Sequence, residues 1–227
     1  MAARAFVWLG GTVFVASLAC CAWWYLFVLG RARPPAGWGP LVVDALLFSI
    51  FALHHSLFAR DSARAWLAKI PARLHRSVYV WVASLLLIAV CLLWRPVGGE
   101  FYDAAGPRAA VHIAVQLAGL LLIARSTAAI DPLELAGIRA PSHSANTAGL
   151  QTSGTYRWVR HPLYFGWLLA VFGTPHMTGD RLAFATITFI YLAAAVPWEE
   201  QSLVRTFGED YARYMRQVKW RMIPFIY

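Results

Sequence analysis

The sequence contains few charged residues. Asp, Glu, Lys and Arg make up 14% of its 227 residues, whereas an ordinary soluble domain carries about 25%. Hydrophobic residues make up 59%, and 11 of them are Trp. This shortage of charge excludes an ordinary soluble protein and predicts an all-α, polytopic membrane bundle. We expect one integral membrane domain over residues 1–227, with no separate soluble domain.

Several other features are absent. The three cysteines, Cys20, Cys21 and Cys91, lie in apolar runs without a CxxC pair, which excludes a disulfide framework and favours small apolar packing residues. There is no HExxH motif and the seven histidines are scattered, so no metal site is predicted. The lack of GxGxxG, P-loop and GxSxG motifs removes the basis for a Rossmann domain, an NTPase or a serine hydrolase.

Long apolar runs are present instead. A helix needs about 20 apolar residues to cross the hydrocarbon core of a bilayer. About six segments qualify, and the turn at residues 175–180 joins the last two into a helical hairpin that either crosses twice or lies tucked within the bundle. The segments cover residues 5–29, 41–58, 77–94, 109–125, 162–178 and 181–198.

Basic residues predict the orientation. With six crossings, fifteen of the 20 Lys and Arg residues lie on the side of the two termini. Because cytoplasmic loops are enriched in Lys and Arg, this asymmetry predicts an inner-membrane protein with both termini in the cytoplasm. Anionic lipid is the commoner partner of such loops, so the net charge of +9 predicts contact with membrane lipids and no nucleic-acid partner.

The chain is predicted to have three parts. Residues 1–125 form the four-span part, residues 126–160 a turn-rich cytoplasmic loop, and residues 161–227 the hairpin with a C-terminal helix. After Pro197 the chain is expected to leave the membrane, and one interfacial amphipathic helix is predicted between residues 199 and 219. Its apolar face has helical spacing and consists of Leu203, Phe207, Tyr211, Tyr214 and Val218.

The segment from Arg160 to Gly166 reads RHPLYFG. Pro162 suits the first turn of a helix, where its missing N–H is no loss. His161 would then lie at a helix N-terminus whose free N–H groups suit a carboxylate. Tyr164 lies one turn further on, and Gly166 allows a ligand or another helix to approach. An interfacial anchor of Arg and aromatic residues is the alternative interpretation.

Two further polar groups are expected on the same side of the membrane. Because the hairpin returns to its starting side, Glu199 and Glu200 should end near His161; a solvated helix start is the alternative. At the end of the second span, His55 and Arg60 could line the mouth of the same pocket, or serve as ordinary interfacial residues. His54 precedes them, and two adjacent histidines point to different sides of a helix, which argues against a shared metal.

These motifs resemble a known family. Residues 154–166 (GTYRWVRHPLYFG), 199–203 (EEQSL) and 207–211 (FGEDY) are similar to the isoprenylcysteine carboxyl methyltransferase superfamily. Residues 55–60 (HSLFAR), 76–80 (RSVYV), 94–96, 135–139 and 174–178 resemble its methanethiol S-methyltransferase branch and the NnrU-like relatives of that branch. The sequence departs from the expected pattern at His54 and His75, where Gln and Glu would be typical.

The resemblance implies S-adenosylmethionine as methyl donor. Carried over by position, the cofactor contacts are His161, Leu163, Tyr164, Gly166, Glu199 and Glu200. The catalytic candidates are His55, Arg60, Arg160 and Glu200. Methyl transfer needs alignment more than acid–base catalysis, but a thiol acceptor must lose its proton, and neighbouring cations favour the thiolate.

The predicted function is methylation of a small thiol, such as methanethiol, to a thioether. Two enzymatic alternatives remain at this stage, namely carboxyl methylation of a prenylated cysteine and N-methylation of a phospholipid. A non-enzymatic NnrU-like membrane factor is a third alternative. The sequence leaves the oligomeric state undetermined.

Overall fold

The computed structural model describes residues 1–58, 71, 74–128, 131–139 and 149–227. Within these ranges, five helices are long and apolar enough to cross a membrane, so the predicted all-α membrane bundle is confirmed. Arg60 and parts of the predicted 126–160 loop lie outside the described residues. The chain divides into two compact units. The first contains residues 1–99, 130–145 and 178–180, and the second contains residues 100–129, 146–177 and 181–227.

The helices correspond closely to the apolar runs. In chain order they are α1 (Ala2–Trp23, continued by a π-helical segment at Trp24–Val28), α2 (Gly39–Phe58), α3 (His75–Leu93), α4 (Gly106–Thr127), α5 (Pro132–Leu135), α6 (Pro162–Phe172), α7 (Gly179–Phe207) and α8 (Glu209–Gln217). Two short strands, β1 (Glu100–Asp103) and β2 (His176–Thr178), pair with each other. A 3₁₀ turn covers Gly154–Arg157.

In the first unit, α3 packs against both α1 and α2. The buried carboxylate of Asp180 fixes the segment that follows α3. It accepts hydrogen bonds from Trp94 Nε1 (3.2 Å) and from the backbone N–H groups of Val97 (2.8 Å) and Gly98 (3.3 Å). Irregular backbone in a membrane protein needs internal partners of this kind.

In the second unit, α4 and α6 pack closely and run antiparallel. A Cβ added to Gly166 would lie 2.8 Å from the carbonyl oxygen of Gly119 and 3.0 Å from Ile123 N. The two backbones therefore approach as closely as small residues allow. With 11 residues, α6 is only about 16 Å long, too short to span a bilayer alone.

An extended segment after α6 completes the first limb of the predicted hairpin. Pro175 O accepts a hydrogen bond from Ala104 N (2.8 Å), just ahead of α4. Residues 166–175 therefore run alongside α4, from Ile123 near its end to Ala104 just ahead of its start. Since α6 is not among the five candidate spans of the described residues, a sixth crossing by this limb stays a prediction.

The C-terminal region differs from the sequence prediction in one respect. The structure has two helices where the sequence predicted one between residues 199 and 219. Helix α7 continues through Pro197 to Phe207, and α8 starts after Gly208. Gly208 has a φ of +54°, a conformation that glycine adopts without steric cost and that ends the helix. The predicted apolar face nevertheless exists. Tyr211, Tyr214 and Val218 are buried together, with Leu203 and Phe207 packed against them.

Candidate active site

The candidate site lies in the second unit, at the N-terminus of α6. His161 is the residue immediately before this helix, and Pro162 is its first residue. The C-terminal segment holds both residues that precede Pro162. Arg160 N donates to Trp220 O (2.9 Å) and His161 N donates to Arg221 O (2.8 Å). The backbone of the C-terminal segment therefore fixes the backbone positions of Arg160 and His161.

Glu200 of α7 is the centre of a buried charge network. Its residue is 5% exposed. Oε1 accepts a hydrogen bond from Arg160 Nε (2.6 Å) and lies 3.3 Å from His161 Nε2, while Oε2 accepts one from Arg221 Nε (3.0 Å). Two guanidinium groups facing one carboxylate keep it ionised and hold it in a fixed position.

The guanidinium of Arg160 makes three hydrogen bonds within the protein. Besides Glu200, its Nη1 donates to the carbonyl oxygens of Val218 (2.7 Å) and Lys219 (3.0 Å). Its side chain is only 7% exposed. Arg160 therefore joins α6, α7 and the C-terminal segment, and its charge is directed toward groups of the protein itself.

Glu199 has a different environment. Its side chain is 42% exposed, and Oε2 accepts a hydrogen bond from the Tyr164 hydroxyl (2.7 Å). The rings of His161 and Tyr164 are parallel within 4°, with centroids 5.4 Å apart. Glu199 thus offers an accessible negative charge beside a stacked imidazole and phenol. Such a combination can hold an organic cation.

Tyr211 is a polar residue of this region that sequence reasoning assigned only to an apolar face. It is 1% exposed, and its hydroxyl has no hydrogen-bond partner among the described residues. Burial, reinforced by the negative charge of Glu200, raises the pKa of Tyr211, so the hydroxyl keeps its proton. A buried hydroxyl without a partner is costly, and the FGEDY motif was the one sequence signal that marked it.

The described residues give two predicted cofactor contacts, Gly166 and Leu163, no side-chain hydrogen bond, since neither has a polar side chain. Gly166 faces α4, and helix packing alone accounts for its lack of a side chain. Leu163 is half-buried. Its backbone N–H lies in the first turn of α6, where an intrahelical acceptor is missing. Contact of either residue with a cofactor stays a prediction.

The remaining candidates belong to the first unit or are not described. His55 Nδ1 lies 2.8 Å from the Tyr79 hydroxyl, and the Arg76 guanidinium lies 5.1 Å from the centroid of the Tyr79 ring. The ring of the neighbouring His54 stacks with the rings of Tyr79 and Phe58. Arg60 lies outside the described residues. The structure therefore brings together Arg160, His161, Tyr164, Glu199 and Glu200 within the second unit, and His55 belongs to a cluster of the first unit.

Comparison with known proteins gives a consistent set of relatives. A family model described as phospholipid methyltransferase matches residues 113–210. Methanethiol S-methyltransferase of Crocosphaera subtropica is 37% identical over 195 residues, which cover 82% of this chain and 75% of that protein. Methanethiol S-methyltransferase 2 of Bradyrhizobium diazoefficiens is 36% identical over 184 residues, covering 78% and 71%.

A more distant relative matches only part of the chain. Protein-S-isoprenylcysteine O-methyltransferase of Mus musculus is 35% identical over 88 residues, which cover 37% of this chain and 31% of that protein. No solved structure matches the chain.

Proposed function

We propose that this chain, which belongs to the methanethiol S-methyltransferase family of membrane methyltransferases, methylates a small thiol such as methanethiol with S-adenosylmethionine. The observation that carries the proposal is the accessible carboxylate of Glu199 beside the stacked rings of His161 and Tyr164. When bound, S-adenosylmethionine supplies an electrophilic methyl group on a positively charged sulfur.

The side chains of the candidate site fit such a donor. Glu199 would accept hydrogen bonds from its amino group or ribose hydroxyls. The N–H of Leu163, at the positive end of α6, would donate to its carboxylate. The Tyr211 hydroxyl, buried without a partner, would find an acceptor there.

Arg160 and Glu200 are best assigned a positioning role. Both are buried and pair with each other (2.6 Å). Since their charges are satisfied within the protein, they fix His161 and the start of α6 instead of touching the acceptor. The alignment that methyl transfer requires would depend on this rigid pair.

His55 is the proposed base for the acceptor thiol. The Tyr79 hydroxyl lies 2.8 Å from Nδ1; in the tautomer with its proton on Nδ1, Nε2 carries the lone pair that takes the thiol proton. The resulting thiolate is the nucleophile, and the proton then passes to water. Tyr79 is the positioning residue because its hydroxyl contacts Nδ1 and so holds the orientation of the imidazole.

A variant of His55 tests this assignment. His55→Ala should reduce methyl transfer at neutral pH by about a hundredfold, the usual range for a general base. The loss should shrink as pH rises, because solution then supplies the thiolate. Tyr79→Phe should also reduce methyl transfer at neutral pH, by a smaller factor, and this loss should likewise shrink as pH rises. A loss that is equal at every pH would show that His55 has only a structural role.

The methyl acceptor is best identified by following a labelled methyl group. Membranes containing the protein are incubated with methyl-labelled S-adenosylmethionine and, separately, with methanethiol, a prenylated cysteine or a phosphatidylethanolamine. We expect label in volatile dimethyl sulfide. Label in an ester or a lipid amine would contradict the thiol assignment and leave the methyltransferase assignment intact.

A lipid-like acceptor is the second candidate. The observation that favours it is a groove of about 430 Å³ in the second unit, lined by apolar residues of α4, α6, α7 and the C-terminal segment and by His112 of α4. The groove could hold a prenyl or acyl chain.

A binding measurement separates the enzyme from a non-enzymatic membrane factor. If the protein is the proposed enzyme, calorimetry should detect binding of S-adenosylmethionine to the purified protein. No binding would rule out the proposed enzyme and favour an NnrU-like membrane factor.

We further propose an inner-membrane location with both termini in the cytoplasm. The excess of Lys and Arg on the side of the termini supports this orientation. It would expose Glu199 to a donor that is dissolved in the cytoplasm.

A further inference from the structure

A second cleft of the second unit is cationic and separate from the groove described above. It has a volume of about 490 Å³ and lies between the 3₁₀ turn at Gly154–Arg157 and the C-terminal segment. Arg157 and Lys219 line it, and its lining includes no carboxylate. Within the described residues neither cation forms an ion pair. The cleft therefore carries two positive charges that no carboxylate in it balances.

Aromatic side chains surround these two cations. Trp158 and Trp220 line the cleft together with Phe225. Trp158 is 68% exposed and Phe225 is 83% exposed. Trp near Lys and Arg is typical of the lipid–water interface of membrane proteins. This composition differs from that of a solvated basic surface, which has no need of exposed indole and phenyl rings.

The backbone at Phe225 supports the same interpretation. Its φ is +65°, which is unusual for a bulky residue and energetically unfavourable. This conformation places Phe225 beside Trp220, with ring centroids 5.5 Å apart. Strain that displays an apolar ring outward is consistent with a surface that contacts lipid.

The cleft is also connected to the candidate active site through the backbone. Two residues of its lining, Val218 and Lys219, provide the carbonyl oxygens that accept from Arg160 Nη1. A third, Trp220, provides the carbonyl that accepts from Arg160 N. A ligand that orders residues 218–220 would therefore also order Arg160, which pairs with Glu200.

We propose that this cleft binds the headgroup of an anionic phospholipid. The phosphate would lie between Arg157 and Lys219, and the acyl chains would lie against Trp158 and Phe225. The bound lipid would order the C-terminal segment and so tighten the support of Arg160. This second effect rests on the proposed function, whereas binding of the lipid does not.

Binding is tested by counting retained lipids. The protein is placed in phosphatidylcholine nanodiscs that contain a minor fraction of phosphatidylglycerol, and native mass spectrometry compares the two lipids that remain bound after release. The double variant Arg157→Gln/Lys219→Gln should lose the preference for phosphatidylglycerol by about tenfold or more, the order expected for two cations near an anionic surface.

The matched control is Arg213→Gln/Arg216→Gln. These exposed arginines of α8 lie near Asp210 and Glu209, so the control removes the same charge from outside the cleft and should keep the preference. An equal loss in both double variants would overturn the proposal in favour of nonspecific surface charge. Displacement of the lipid by soluble glycerol phosphate at similar concentration would also overturn it, because the site would then be one for a free anion.

Activity supplies an independent measurement. Phosphatidylglycerol should raise methyl transfer by the wild-type protein and by the α8 control, but not by the cleft variant. Retention of lipid without any effect on the rate would overturn the coupling to Arg160 and support the binding site. If no methyl transfer occurs at all, the proposed function fails while the lipid count still decides the binding site.

Discussion

At the scale of single residues, Glu199 and Glu200 are neighbours in the sequence with different surroundings. Glu200 is buried between Arg160 and Arg221, whereas 42% of the Glu199 side chain is exposed. Glu200→Gln should lower the free energy of unfolding by about 3 kcal/mol or more, because it leaves buried positive charge uncompensated. Glu199→Gln should leave stability nearly unchanged.

The same pair of variants separates binding from folding in activity measurements. Loss of one charge-assisted hydrogen bond to the donor should raise the KM for S-adenosylmethionine in Glu199→Gln by about tenfold or more. Stability is followed by thermal unfolding in detergent, and KM by transfer of labelled methyl groups. An unchanged KM in Glu199→Gln would remove this carboxylate from the site.

Tyr211 offers a second prediction for a single residue. Its buried hydroxyl has no partner among the described residues, so Tyr211→Phe should not reduce stability and should slightly increase it. If the hydroxyl serves the donor, the dissociation constant of S-adenosylmethionine measured by calorimetry should rise by about tenfold. Greater stability with unchanged binding would make the hydroxyl irrelevant to the site.

At the scale of elements, the contact between α4 and α6 depends on glycine. Replacing glycine by alanine in a helix interior usually stabilises by up to about 1 kcal/mol. Gly166→Ala should instead destabilise by about 1–3 kcal/mol, because the new Cβ would meet backbone atoms of α4 that cannot move away. The control is Gly149→Ala, where a Cβ meets no atom of the described residues within 4 Å. Thermal unfolding in detergent compares the two, and higher stability of Gly166→Ala would contradict the described packing.

The C-terminal elements show the limit of periodicity as a predictor. The spacing of Leu203, Phe207, Tyr211, Tyr214 and Val218 correctly predicted a shared apolar face, because they pack in one cluster. It did not predict that Gly208 divides the helix, since hydrophobic spacing continues across a single residue in a left-handed conformation. The short strands β1 and β2 were missed because their pairing depends on residues far apart in the sequence.

At the scale of the whole molecule, the relatives confirm the methyltransferase family that the motifs indicated. Orientation stays a prediction. Reporter fusions at each terminus should both be active in the cytoplasm, and a reporter inserted after Phe101 should be active only on the opposite side. Reporters at the two termini on opposite sides would contradict an even number of crossings. A C-terminal reporter inactive in the cytoplasm would remove the predicted access of Glu199 to a cytoplasmic donor.

The sequence by itself determined the membrane class, the apolar helices and the family, because composition, run length and local motifs are properties of neighbouring residues. It also indicated that His161 and Glu200 would meet, since a hairpin returns to its starting side. Only the tertiary structure decided their roles. Glu200 is buried and pairs with Arg160 and Arg221, whereas Glu199 remains accessible. Burial depends on contacts between distant segments, which no local sequence pattern encodes.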